Sequence, residues 1–484
     1  MKRLQFILLA LLALPSCKEE ENIPGRVDDG GKETGAVYND LGFTPHKDGE
    51  PYDTYEGLIM AGYQGWFGCP GDGCSGVHGK CFYHYQENGM FKPGPLRNSI
   101  DFWPDMTEYE KTYKTDFKFD DGSPAYVYSA YDESSVMLHF KWMKEYGIDG
   151  VFMQRFVGEV IGNSSGKDHF DKVLSHAMKA SNKYERAISF AYDLSGGLMY
   201  NGRTVDMVVA DAKAIMDKYN LKDRNAGQKY YLYENGKPLV CVWGVGFSDN
   251  RKYTVADCAE LVEKLQGLGY SVLLGVPTYW RALKTDCLSD NAIHDLIKKC
   301  DAVFPWFVGR YNGSNYGSFK SNIKSDIDWC KTNKVVYAPL CYPGFSWENM
   351  NPTGTSTIAR KKGDFLWTQL YNCIYYGAKC IYIAMFDEID EGTAIYKTMR
   401  KSEAPSNVPE DKYYVVYKGG SWSISNTEVT GLSGSDWCKL GSEVGTVFQG
   451  VEDGLETDHY LYLVGQAGKM LRGEIPMQSK QPSR

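Results

Sequence analysis

The sequence predicts an α/β protein, a (β/α)8 barrel of the TIM type with a long loop after its first strand and a small β insertion before its last helix. Three observations predict it. Eight short runs rich in Val, Ile and Leu recur after residue 56, apolar enough to be buried on both faces of a sheet. Helical-period segments separate them. Eight such units in roughly 400 residues fit one barrel with insertions. An open doubly wound sheet is the competing arrangement, but no G-x-G-x-x-G follows a strand to favour it.

The first strand is 57–63, GLIMAGY. A long irregular stretch follows it, to about residue 133. Connections of that length are uncommon in a compact domain unless they serve function. A helix over 134–146 puts Val136, Phe140 and Met143 on one face, and Gly147 ends it before strand 150–154. The rhythm then repeats. Helices over 167–184, 204–219, 254–267, 289–299, 320–333 and 362–376 lead to strands 187–192, 238–243, 271–276, 302–306, 335–340 and 381–386. The last helix is delayed to 458–471, after a β insertion that contains YYVVYKGGSWSI.

The N-terminus reads as an address. Lys2 and Arg3 precede an apolar run, 4–14, too short to span a bilayer as a mature helix. It ends in LPSC, which resembles a bacterial lipoprotein box with residues 1–16 removed and a lipid on Cys17. Residues 17–50 are polar and rich in Gly and Asp, too poor in apolar surface to fold, and read as a flexible tether. Lys18 followed by acids resembles the surface-export signal of Bacteroidetes lipoproteins. One domain over 51–484 remains, expected on the cell surface as a monomer anchored to the outer membrane.

A net charge of −8 argues against nucleic acid, whose binding surface would be basic. There is no P-loop, H-E-x-x-H or G-x-S-x-G. The 36 Tyr and 11 Trp are numerous enough to fill a core and still offer rings on which sugars stack. Cys241, Cys341, Cys373 and Cys380 sit in apolar elements as small hydrophobes. Cys69, Cys74 and Cys81 cluster with His78 and His84 in CPGDGCSGVHGKCFYH, but the spacing matches no standard zinc site. A Cys69–Cys74 disulfide or free thiols fit better, and no metal or cofactor is expected.

A barrel keeps its site at the C-terminal ends of its strands. The first end offers Tyr63, Gln64 and Trp66, and its long loop adds His84 and Tyr85. The second offers Gln154 and Arg155, the third Asp193, and the fourth Trp243. The fifth offers Tyr279 and Trp280, the sixth Trp306, and the seventh Tyr342 and Trp347. Trp243 and Trp306 read equally well as core. A buried Arg155 would keep a neighbouring carboxylate ionised. The eighth strand stops in Asp387, Glu388, Asp390 and Glu391 before Gly392 and Thr393 turn the chain. Acids crowded in low dielectric repel, so one must hold its proton. That arrangement is tolerated where two acids have different tasks. A spacing of three in a turn puts side chains roughly 5–6 Å apart. Glu388 and Glu391 therefore read as the acid pair of a glycosidase, against the alternative of a solvated acidic loop.

The loop M-F-D-E-I-D-E-G-T resembles the N-E-W-x-E-G-T loop of glycoside hydrolase family 99, endo-α-mannosidases and endo-α-mannanases, and of the related family 71, α-1,3-glucanases. GLIMAGYQGWF, the His84-Tyr85 pair, D-F-W-P-D and GIDGVFMQRF resemble a family 71/99-like branch labelled xylosidase or arabinosidase. The resemblance implies Glu391 as general acid, then base toward water. It implies Glu388 as the base that draws the proton from the sugar 2-hydroxyl, whose oxygen attacks the anomeric carbon. This chain departs in having Asp387 for the family's Asn, Ile389 for its Trp, and the extra acid Asp390. The expectation is a surface-anchored, endo-acting, retaining glycoside hydrolase on an α-linked, mannan-like polysaccharide or glycan. Asp387 and the strand-end residues above are its expected substrate contacts. A barrel that binds glycan without cleaving it, and an exo-acting xylosidase or arabinosidase, are the alternatives.

Overall fold

Alternation of apolar strands with amphipathic helices produces the expected barrel. The computed structural model describes residues 41–195, 203–353 and 357–484. The expected signal peptide, Cys17 and residues 17–40 of the tether lie outside the described residues. Six parallel strands come first: β1 (Ile59–Tyr63), β2 (Gly150–Phe156), β3 (Ala187–Asp193), β4 (Lys237–Trp243), β5 (Ser271–Pro277) and β6 (Ala302–Trp306). Every residue of β1, β3 and β5 is buried, as strands covered on both faces require.

Strand β7 closes the ring in two pieces. Val336–Tyr337 pairs with β6, and Leu340–Cys341 pairs with β8 (Ile381–Ile383). Pro339 sits between them and has no N–H for a ladder. Pairing still runs through the break: Ala338 N–H donates to Val303 O at 3.0 Å, and Tyr382 N–H to Pro339 O at 3.0 Å. β8 then lies beside β1, Ile59 opposite Ile381. β8 is shorter than the apolar run 381–386 predicts, because the backbone leaves the ladder after Ile383 to enter the acidic turn.

Among the described residues, eight helices of eight residues or more surround the strands: α1 (Glu133–Tyr146), α2 (Ser164–Tyr184), α3 (Arg203–Lys218), α4 (Val255–Leu268), α5 (Ala292–Lys299), α6 (Tyr316–Asn333), α7 (Asp364–Tyr375) and α8 (His459–Leu471). Local chemistry sets their ends. Asn163 caps α2 by accepting from Ser165 and Gly166 N–H, and Thr254 with Asp257 forms a reciprocal cap on α4. α6 starts before the predicted residue 320, because the Asn315 side chain accepts from Asn312 N–H and folds the chain into a turn there. The delayed α8 packs between α1 and α7, as expected. Gly465 allows that approach, since a Cβ there would stand 1.7 Å from Tyr146 O. Below the barrel, Asp149 accepts from Ile59 N–H at 2.7 Å and pairs with Arg472 at 3.1 Å, tying β1 to the end of α8.

The insertion is a three-stranded antiparallel sheet of β9 (Tyr414–Lys418), β10 (Ser421–Ser425) and β11 (Trp437–Leu440). Gly419 and Gly420 both take positive φ, the tight hairpin turn that matches strand twist. The chain docks on the domain before residue 51. Phe43 packs against the core, and the His46 ring stacks on Tyr52 at 3.8 Å. No disulfide joins Cys69, Cys74 or Cys81; Cys69 and Cys81 donate instead to the Tyr128 and Val77 carbonyls.

Candidate active site

The acidic turn is held by backbone contacts from several parts of the chain. Thr393 and Ala394 N–H close it by donating to Glu388 O at 3.1 and 2.9 Å. Gly392 takes a φ of +61°, and a Cβ there would lie 2.8 Å from both the Phe102 ring and Ser346 N. Asp101 and Phe102 N–H donate to Ile389 O, and Ser346 N–H donates to Glu391 O at 2.9 Å. Arg360 donates one nitrogen to Gly392 O at 2.9 Å and Ala394 O at 2.8 Å, with its guanidinium between the Phe102 and Tyr460 rings. Asp101, the first acid of D-F-W-P-D, accepts from Ser346, Glu348 and Asn349, so the motif joins the β7 loop to the acidic turn.

The four carboxyls have different surroundings. Asp387 is fully buried; its oxygens accept Gln64 N–H at 2.7 Å and Gly65 N–H at 2.9 Å. Burial pushes it up to about 7 against those two donors. Glu388 is buried and takes two side-chain donors, the Gln64 amide at 2.5 Å and the Thr393 hydroxyl. Burial first, then Asp390, raise it to about 8, while both donors favour its charge. Asp390 faces His84, whose Nδ1 lies 3.3 Å away. Glu391 lies deep in the fold yet keeps partial contact with solvent. Among the described residues no side chain hydrogen-bonds its carboxyl, and burial, then Glu388, hold it well above the usual carboxylate range.

The remaining expected contacts divide by strand alternation. Gln154 on β2 reaches the Tyr382 hydroxyl of β8 at 3.3 Å, and that ring stacks on Phe304 at 4.4 Å inside the barrel. The next residue, Arg155, faces the opposite way. It is buried against α2 and α3, paired with Asp171 at 2.9 Å and Asp211 at 2.8 Å, and does not reach the acids. Trp66 and His84 stack at 3.9 Å, with Phe156 on Trp66 at 5.1 Å. Trp243 and Trp306 meet edge to face at 5.2 Å. Trp306, Tyr279 and Trp347 stay partly exposed at the strand ends. Asp193 accepts from the Ser195 backbone at 2.7 Å, and burial pushes it up to about 6.

Five further expected contacts are sealed in the core. The Tyr63 hydroxyl meets His139 at 2.7 Å, and the Tyr85 hydroxyl donates to Tyr128 O at 2.7 Å. Tyr342 donates to Tyr311 O, and Trp280 packs on Trp329 at 4.8 Å. Asp387, with no exposed surface, binds the β1 loop rather than a ligand. A strand-end position alone does not tell a mouth-facing ring from one that seals the core. Sequence reasoning missed Thr393, Tyr382, Arg360 and Asp101. Thr393 lies in the quoted loop, but Arg360 sits in a polar stretch with no periodicity to flag it. Two surface cavities of about 350 and 270 Å³ lie away from the acids, the larger between α6 and α7.

The eighth strand of the barrel ends in a buried acidic turn, at the end of the strands where such barrels keep their sites. The chain belongs to glycosyl hydrolase family 99, whose model matches residues 54–419. It is 21% identical over 286 residues to the mouse glycoprotein endo-alpha-1,2-mannosidase-like protein, covering 57% of each chain. It is 24% identical over 281 residues to the Xenopus laevis glycoprotein endo-alpha-1,2-mannosidase, covering 57% of this chain and 58% of that one. It therefore spans little more than half the length of these curated relatives. The fold is shared with the GH99 endo-alpha-mannosidase structure from Bacteroides thetaiotaomicron, at a TM-score of 0.53 and 16% identity over 87% of this chain and 98% of that one.

The raised carboxyls predict a pH dependence of stability. Each holds its proton more tightly folded than unfolded, so its contribution is fully present below the ordinary 3.8 or 4.5. It is lost as pH rises through about 7 for Asp387 and about 8 for Glu388. Buried His78, His139 and His169, held at about 2, 3 and 4 by burial, act oppositely, but only below their ordinary 6.5. Thermal melts are therefore expected to fall between pH 7 and 8.5, and to fall less in Glu388→Gln. A wild-type melting temperature that rises over that window contradicts the assignment.

Proposed function

We propose that the protein is an endo-acting, retaining glycoside hydrolase that cleaves an α-linked, mannan-like glycan with Glu391 and Glu388. The reading is carried by the unequal treatment of the two glutamates. Gln64 and Thr393 donate to Glu388 and favour its charge, whereas among the described residues no side chain donates to Glu391, which burial holds well above the usual carboxylate range. Family membership and the endo-mannosidase relatives support the substrate class.

In the first step Glu388 takes the proton of the sugar 2-hydroxyl. That oxygen bonds to the anomeric carbon as the glycosidic bond breaks, and Glu391 gives its proton to the departing oxygen. In the second, Glu391 takes a proton from water, whose oxygen attacks the anomeric carbon as that carbon's bond to the 2-oxygen breaks, and Glu388 returns its proton to the 2-oxygen. Acid–base help of this kind is worth about 10²–10⁴ in rate. The partly exposed rings at the strand ends, Trp66, Tyr279, Trp306 and Trp347, hold sugar faces against the pair. In the same reading a lipid on Cys17 anchors a monomer to the outer membrane, where it meets polysaccharide at the cell surface.

Glu388→Gln and Glu391→Gln are each expected to lower kcat on α-mannan by about 10²-fold or more with melting behaviour preserved. Wild-type turnover in either variant excludes the mechanism. Product sizing is expected to show oligosaccharides first, and monosaccharide alone would make the enzyme exo-acting. Cys17→Ala is expected to move the protein from the membrane fraction to the soluble one, and unchanged fractionation refutes the anchor.

A further inference from the structure

A second aromatic surface lies on the β insertion, away from the acids. Tyr417 of β9 stands directly opposite Trp422 of β10 and Trp437 of β11. Directly paired residues share a face of a sheet, so the three rings gather there as one cluster, with Tyr417 and Trp437 6.4 Å apart. Their centroids lie 4.6 Å apart for Tyr417 and Trp422 and 5.3 Å apart for Trp422 and Trp437. Each ring is only half-buried. The insertion has its own sealed core in Leu96, Tyr413 and Val415, and Trp422 and Trp437 pack on it while keeping solvent contact.

The cluster is tied to the barrel mouth. The Trp422 indole donates to Asn351 Oδ1 at 2.6 Å. Asn351 N–H donates to Trp347 O at 2.8 Å, and neighbouring Ser346 N–H donates to Glu391 O at 2.9 Å. Asn351 lies five residues beyond Ser346, so the two cannot be more than about 18 Å apart. Polar groups flank the rings: the Asn351 amide on one side, and Lys439, its Nζ 5.0 Å from the Trp437 ring, on the other. Stacked rings beside hydrogen-bonding groups match a sugar, which offers apolar C–H faces and hydroxyl edges. The strongly exposed large hydrophobics Met207, Leu288, Tyr375, Val408 and Val447 all lie off this sheet.

We propose that Tyr417, Trp422 and Trp437 form an accessory binding site for distal units of a neutral α-linked glycan whose scissile bond lies against Glu388 and Glu391. The proposal rests on the hydrolase reading and adds a site to it. It gives the chain a grip on polymer outside the cleavage position, and it gives the insertion a role in substrate capture.

Native affinity electrophoresis through gels containing soluble α-mannan tests it, using full-length protein carrying Glu391→Gln so that the polymer is not cut. Trp437→Ala and Tyr417→Ala, added separately, are each expected to weaken retardation about tenfold, as removal of a binding hot spot does. Trp437→Phe is expected to restore it, with melting temperatures close to the parent's throughout. Equal retardation of parent and ring variants overturns the accessory site and leaves the hydrolase reading standing. Loss confined to Trp437→Ala, with earlier melting and no loss in Tyr417→Ala, assigns the rings to the insertion's core and also overturns it. A parent that α-mannan does not retard, together with a wild type that releases no product from it, sinks the hydrolase reading on this polymer and the accessory site with it.

Discussion

Several carboxyls crowded into one buried turn are the constraint on which this molecule depends. Two charges about 5 Å apart repel by about 3 kcal/mol at the effective dielectric of a protein site. A single neutral hydrogen bond returns only about 1 kcal/mol. The turn therefore cannot keep all its acids ionised, and the fold treats them unequally. Asp387 takes backbone donors from the end of β1, Glu388 takes side-chain donors, Asp390 faces His84, and burial holds Glu391 well above the usual carboxylate range. Differentiation of this kind is what acid–base chemistry requires of two like groups.

Much of the rest of the barrel mouth follows from holding that turn still. Arg360 is a buried cation spent on two carbonyls, and its guanidinium lies between two rings rather than against a carboxylate. Asp101 organises the β7 loop so that Ser346 N–H meets Glu391 O. These contacts fix backbone, and the backbone aims the glutamates. Asp387 stands where the family resemblance places Asn, and its two oxygens let one side chain hold two consecutive N–H groups of the β1 loop.

The barrel was legible because parallel strands buried on both faces leave continuous apolar runs, and helices between them leave a 3.6-residue period. The strand-to-helix order held around the barrel, and even the delayed α8 was visible as an apolar stretch after the insertion, but the stretch read as irregular holds an antiparallel hairpin of Tyr113–Lys118 and Pro124–Val127. The acidic turn was legible because charge at the end of a buried strand is costly and therefore conspicuous. Ring orientation was not. Tyr63 and Gln64 are adjacent, yet one seals the core through His139 and the other donates to Glu388. Gln154 and Arg155 diverge in the same way, by the alternation of a strand whose register only pairing fixes. Arg360 was invisible because its partners are backbone carbonyls distant in sequence.

The central claim is that Glu391 holds its proton to higher pH than Glu388, so that Glu388 is the first of the two to ionise. Carbon-13 spectra of protein labelled at the glutamate carboxyls, assigned by difference against Glu388→Gln and Glu391→Gln, read this directly as pH is varied. The account predicts that the Glu391 signal stays in its protonated position at pH 7, and that of the two Glu388 loses its proton at the lower pH. Ionisation of both below pH 5, or of Glu391 before Glu388, would contradict it.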